Sequence, residues 1–165
     1  MKCTIKRIAK GVICCVFLSL CGCDRTGGDS LQRAWEQYMS SFAARDYGAL
    51  WDSMSEDSQQ DTIRVLTHLK RNTQYRESMQ RKFKIPARSL KKMQPRDFFI
   101  TLMDGVDRAL PQIVKIRSER FKTARFVRTE IQEHHATVFW ESTGGGAESM
   151  TFMLEDRQWK PVIKR

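Results

Sequence analysis

Apolar side chains recur every three or four residues through the first two thirds of this chain and at every second residue in the last third. The first pattern predicts amphipathic helices and the second predicts strands. Leu31, Ala34, Trp35, Tyr38 and Phe42 form one helical face, with Asp29 or Ser30 able to cap it and Gln32 placed as a capping-box partner of Asp29. Arg45-Asp46 breaks that helix, and Asp46 caps a short second one carrying Tyr47, Leu50, Trp51 and Met54. Ser55-Glu56-Asp57 opens a third, with acids at the positive end of its dipole. Ile63, Leu66, Leu69, Tyr75, Met79 and Phe83 continue it to a stop before Pro86. Pro95 starts a fourth helix through Phe98, Phe99, Leu102, Met103, Val106 and Leu110 to Pro111.

The alternating part predicts four strands. Residues 121–133 carry Val127, Thr129 and Ile131 on one side, and Glu133-His134-His135 turns the chain. Ala136, Val138 and Trp140 share a face of the second strand. The three glycines at 144–146 make the next turn, where positive φ is free of steric penalty. Met150, Phe152 and Leu154 mark the third strand, Asp156-Arg157 the last turn, and Trp159 and Ile163 the fourth strand. Short turns at even spacing indicate an antiparallel meander. Helices first and strands last indicate an α+β domain.

The first 23 residues depart from both patterns. All five cysteines lie there: Cys3, Cys14, Cys15, Cys21 and Cys23. Lys2, Lys6, Arg7 and Lys10 precede an apolar run over 11–20. Ten residues are too short for the ~20 of a membrane-spanning helix and suit a secretory signal. Leu20-Cys21-Gly22-Cys23 resembles the lipobox of bacterial lipoproteins. That resemblance implies cleavage after residue 22 and a lipid on Cys23. Several acyl chains, at about 0.8 kcal/mol per buried methylene, anchor where one does not. The resulting division is a signal peptide over 1–22, a lipidated cysteine and polar tether over 23–30, and a domain over 31–165. It places the domain in a bacterial cell envelope outside the cytoplasm, with Asp24 favouring the inner membrane. The absence of other cysteines excludes a disulfide framework or a cysteine-ligated metal in the domain.

Cleavage before Cys23 leaves 143 residues, enough for one self-supporting core. Setting aside the four cations of the signal, 25 basic residues face 19 acidic ones. A moderate excess suits anionic headgroups or an acidic partner, but reads first as an ordinary mixed surface. Residues 70–92 are strongly basic and read as a solvated helix face. No basic stripe is interleaved with aromatics for stacking bases, so nucleic acid is not an expected partner.

The order of elements resembles the nuclear transport factor 2-like superfamily, which includes ketosteroid isomerase and scytalone dehydratase. One signature is the opening helix pair over 34–51, broken at Arg45-Asp46. The other is Asp156-Arg157-Gln158-Trp159-Lys160, similar to the family's "(D/E)-G-x-W-(K/R)" ending with Arg157 where the family has glycine. The resemblance implies a curved antiparallel sheet wrapped on helices around a conical cavity. It supplies no activity, because that fold serves enzymes and binding modules alike. Tyr38, eight residues before Asp46, sits where the isomerases carry an oxyanion donor, although a tyrosine on an apolar helix face is more commonly core. An isomerase also needs carboxylates, for which the strands offer Glu130, Glu141 and Glu148. Asp57 and Asp61 fall at a helix start. Adjacent His134 and His135 point apart on a strand and do not share a metal easily. No metal or cofactor is expected. The leading expectation is a non-catalytic module binding a hydrophobic small molecule, a peptide or an envelope protein. The alternative is an isomerase- or dehydratase-like enzyme using Tyr38 and a strand carboxylate. A cavity filled by side chains would count against both and favour a structural or adaptor role.

Overall fold

A computed structural model describes residues 25–163. The signal segment, the lipobox and Cys23 lie outside the described residues. Among the described residues seven helices precede a four-stranded antiparallel sheet, so the α+β class holds.

Helix α1 spans Arg25–Ala44 and α2 spans Tyr47–Ser53. The break falls at Arg45-Asp46 as expected. Arg45 takes φ 60°, and the Asp46 carboxylate accepts from the Ala49 amide at 2.9 Å. The α1 helix begins four residues before the expected Asp29 cap, so the polar stretch read as tether is largely helical from Arg25 on. Helix α3, Glu56–Arg71, starts on the expected Ser55 cap. The Glu56 amide also donates to the Glu155 carboxylate at 3.0 and 3.1 Å, which ties this helix start to the sheet.

The long third helix of the sequence reading is two helices. Asn72 ends α3 and caps α4, Thr73–Phe83, its side chain accepting from the Tyr75 amide at 3.2 Å. A six-residue helix, α5, follows at Ala87–Lys92. Helix α6 runs Pro95–Ala109 as expected. Pro111 does not begin the strand region. It occupies the first turn of another helix, α7, Pro111–Lys122. The same preference of proline for helix starts that located α6 applies here.

The sheet is a meander in the order β1 (Arg125–Gln132), β2 (His135–Glu141), β3 (Glu148–Glu155) and β4 (Gln158–Pro161). Ala136, Val138 and Trp140 face the helices as the alternation requires. On β1 the register shifts between Phe126 and Arg128. That bulge leaves Val127 exposed and puts Phe126, opposite Trp140, on the side of Thr129 and Ile131. The expected set of Val127, Thr129 and Ile131 is corrected accordingly.

Two cores result. The larger joins α1, α2 and the sheet through Leu31, Trp35, Tyr38, Leu50, Trp51, Trp140, Phe152 and Trp159, with Phe99 from α6. The smaller joins α3, α4 and α5 through Leu66, Leu69, Ile85 and Leu90, with Phe98 from α6. Adjacent residues of one helix thus serve opposite sides. As described, both interiors are built from Leu31 onward.

Candidate functional site

Tyr38 lies on the buried face of α1 and is 7% exposed. Its ring meets Phe42 at 5.8 Å between centroids, Phe42 meets Phe121 of α7 at 4.9 Å, and Phe121 meets Trp140 at 5.9 Å. Trp35 packs edge-on against Phe126 at 5.7 Å. These rings occupy the space between α1 and the sheet, where the family resemblance implies a cavity. Burial pushes the Tyr38 phenol up to about 12, with a smaller opposing pull from the Arg117 cation. Burial therefore keeps the phenol protonated through the neutral range. Among the described residues the Tyr38 hydroxyl makes no hydrogen bond to a carboxylate.

The carboxylates expected beside it lie elsewhere. Glu130 pairs with Arg128 on the exposed part of β1. Glu141 is exposed at the end of β2. Glu148 shares the inner face with its partner Trp140 but is paired with Arg120 at the sheet's margin. Asp57 stands in the first turn of α3, and Asp61 pairs with Arg64. His134 lies in the β1–β2 turn and His135 opens β2, both exposed. No group of three or more metal-ligating side chains exists among the described residues.

The most developed polar cluster is one the sequence reading did not contain. Asp107, near the end of α6, accepts a short hydrogen bond from the Tyr47 hydroxyl. It also accepts from Arg117 of α7 at 3.3 Å and pairs with Arg45 at 3.6 Å. Arg117 lies over the Phe42 ring at 4.4 Å. Burial, then the Asp107 hydrogen bond, pushes the Tyr47 phenol well above its ordinary range. One carboxylate, 10% exposed, thereby joins four elements: the α1–α2 turn, α2, α6 and α7. Two guanidiniums and a phenol converge on the Asp107 carboxylate. The arrangement clamps helices. A sequence signal did exist: an acid in the last turn of a helix opposes the dipole and calls for a compensating cation.

Of the clefts described, none is lined by Tyr38. One of about 340 Å³ lies between α1, α2 and β4, against Ala34, Ala49, Asp52, Trp159 and Pro161. Another, about 570 Å³, lies between α7 and the β2–β3 loop. Two more, of about 540 and 400 Å³, flank the α4–α5 pair. No described helix is long and apolar enough to cross a membrane. Comparison with protein-family models, with curated proteins and with solved structures finds no match to this chain.

Proposed function

We propose that this protein is a bacterial cell-envelope lipoprotein, cleaved after residue 22 and acylated on Cys23, whose nuclear transport factor 2-like domain is a non-catalytic interaction module. The signal pattern and the lipobox resemblance carry the anchor. The filled interior carries the rest: rings of Trp35, Tyr38, Phe42, Phe121 and Trp140 stand where an enzyme of the isomerase type holds substrate. A domain of this build acts through its surface. The family reading draws support from the last hairpin, where Asp156 and Arg157 take φ 50° and 64°. The family's glycine at that turn meets the same backbone demand.

Mass spectrometry of the mature chain from bacterial membranes tests the anchor. The expected species begins at Cys23 and carries acyl chains, and Cys23→Ala abolishes incorporation of labelled palmitate. An unacylated mature chain beginning elsewhere overturns it. Ultraviolet titration of Tyr38, against Tyr38→Phe, tests the filled interior. A phenol titrating near its ordinary range, about 10, would mean that Tyr38 is solvated and would overturn the filled interior.

A further inference from the structure

We propose that the α4–α5 lobe is a docking surface for anionic phospholipid headgroups. Residues 70–92 hold nine lysines and arginines and one acid, Glu77. In the chain from Cys23 onward, the remainder has 16 basic and 18 acidic residues. The positive excess of the domain is therefore concentrated in one lobe, and the rest is slightly negative.

Read along the sequence, this stretch is a solvated helix face. The tertiary structure adds two facts. Arg45, Arg64, Arg96, Arg117, Arg120, Lys122, Arg128 and Lys160 are each ion-paired with a carboxylate, and none of these cations belongs to 70–92. Of the lobe's cations only Arg76 is buried, and it is spent internally on the Leu69 and Lys70 carbonyls at 3.3 and 2.6 Å, closing the end of α3. Arg71, Arg81, Lys82, Lys84, Arg88, Lys91 and Lys92 are exposed and carry no ion pair among the described residues.

The second fact is shape. Two clefts flank α4 and α5 and share Glu77, one lined by Arg81 and Lys84 and the other by Arg88, Lys91 and Lys92. Unpaired cations around shallow clefts match a layer of phosphates better than a single deep-bound ligand. Basic side chains near an anionic bilayer contribute about 1 kcal/mol each, falling off within a Debye length. The choice of lipid over another polyanion rests on the anchor proposed above. Cys23 is two residues before the start of α1, so an acylated chain is held close to the headgroups.

The test uses residues 23–165 with Cys23→Ser, made without the signal and hence without lipid. It is sedimented with vesicles of phosphatidylcholine, alone or part-replaced by phosphatidylglycerol. Binding is expected only to the anionic vesicles and is expected to be lost at high salt. Replacing Arg81, Arg88, Lys91 and Lys92 together by glutamine should weaken it ~100-fold or more. Removing four cations elsewhere, Arg108, Lys115, Arg125 and Arg157, should change it by less than ~10-fold, since they lie outside the proposed surface. Equal loss in both variants, or binding indifferent to phosphatidylglycerol, overturns the proposal. So does binding to inorganic polyphosphate without binding to vesicles. The salt titration of the unaltered domain gives the same reading should a variant misfold. Because the tested chain has no acyl group, its failure to bind would sink the docking surface and leave acylation of Cys23 standing.

Discussion

The two sides of α6 are built from different materials. Toward the sheet, Phe99 meets Trp51 at 5.6 Å, within a core whose large members are mostly aromatic. Toward α3–α5, Phe98 enters a smaller core of Leu66, Leu69, Ile85 and Leu90. The sheet side is bound by the ladders of three antiparallel hairpins and by the Asp107 clamp. The lobe has fewer buried side chains and a surface of unpaired cations that repel one another. The difference teaches that the charge excess is carried by the part with the thinner core, and the heavier core keeps the fold in place beneath it.

The sharpest way to break the comparison is to truncate one large residue in each core. Phe152, fully buried under the sheet, should cost about 3–5 kcal/mol as Phe152→Ala and lower the thermal transition of the whole domain. Leu90→Ala, also at a fully buried site, should cost about 2–5 kcal/mol. In hydrogen exchange, its lost protection should concentrate in α4 and α5 while β1–β3 stay protected. Uniform loss in both variants would show one cooperative unit and dissolve the distinction.

Gly105 tests the contact between the two sides. A β-carbon there would stand 2.9 Å from the Phe83 Cβ and 3.1 Å from its carbonyl oxygen. Gly105→Ala gains about 1 kcal/mol of helix propensity, but overpacking against backbone costs about 1–3 kcal/mol. Net destabilisation in urea unfolding, with exchange again fastest in α4, is the expected result. Stabilisation would mean that α4 shifts freely on α6.

Tyr38 reports on the sheet side by pH. Its folded pKa, about 12, lies above the unfolded value near 10. Burial thus favours the neutral phenol, and its contribution is complete below pH ~10 and declines as pH rises toward ~12. Tyr38→Phe should leave the melting temperature nearly unchanged at neutral pH and flatten the alkaline fall between those values. A variant with the same alkaline limb as the parent would place that titration elsewhere. The smallest effect belongs to Arg157, whose left-handed backbone is unfavourable for any side chain. Arg157→Gly should stabilise by no more than about 1 kcal/mol, relief of strain exceeding the entropy glycine adds to the unfolded chain. A lower melting temperature would contradict that balance.

Much of this architecture is legible in the sequence. Local chemistry sufficed for the α1–α2 break at Arg45-Asp46, the Ser55 cap, the Pro95 start and the three hairpins, because a cap or a tight turn is decided within four residues. Where two readings of one residue compete locally, sequence alone fails. Asn72 ends one helix and begins another, Pro111 stops α6 and starts α7, and an extra residue at Val127 resets the alternation of β1. The candidate site was less legible still. Tyr38 was rightly located on a buried helix face, but its neighbours were not. Asp107, Tyr47, Arg45 and Arg117 come from separated segments, and only packing brings their charges together.

The sequence by itself determined the class of fold, the run of helices before strands and the uneven spread of charge, since periodicity and composition are properties of the chain. The tertiary structure alone decided that aromatic rings fill the space under the sheet. It also decided which cations are neutralised by carboxylates and that the seven exposed ones of the α4–α5 lobe are not. Both depend on distances between residues remote in sequence, and a linear pattern carries no such distances.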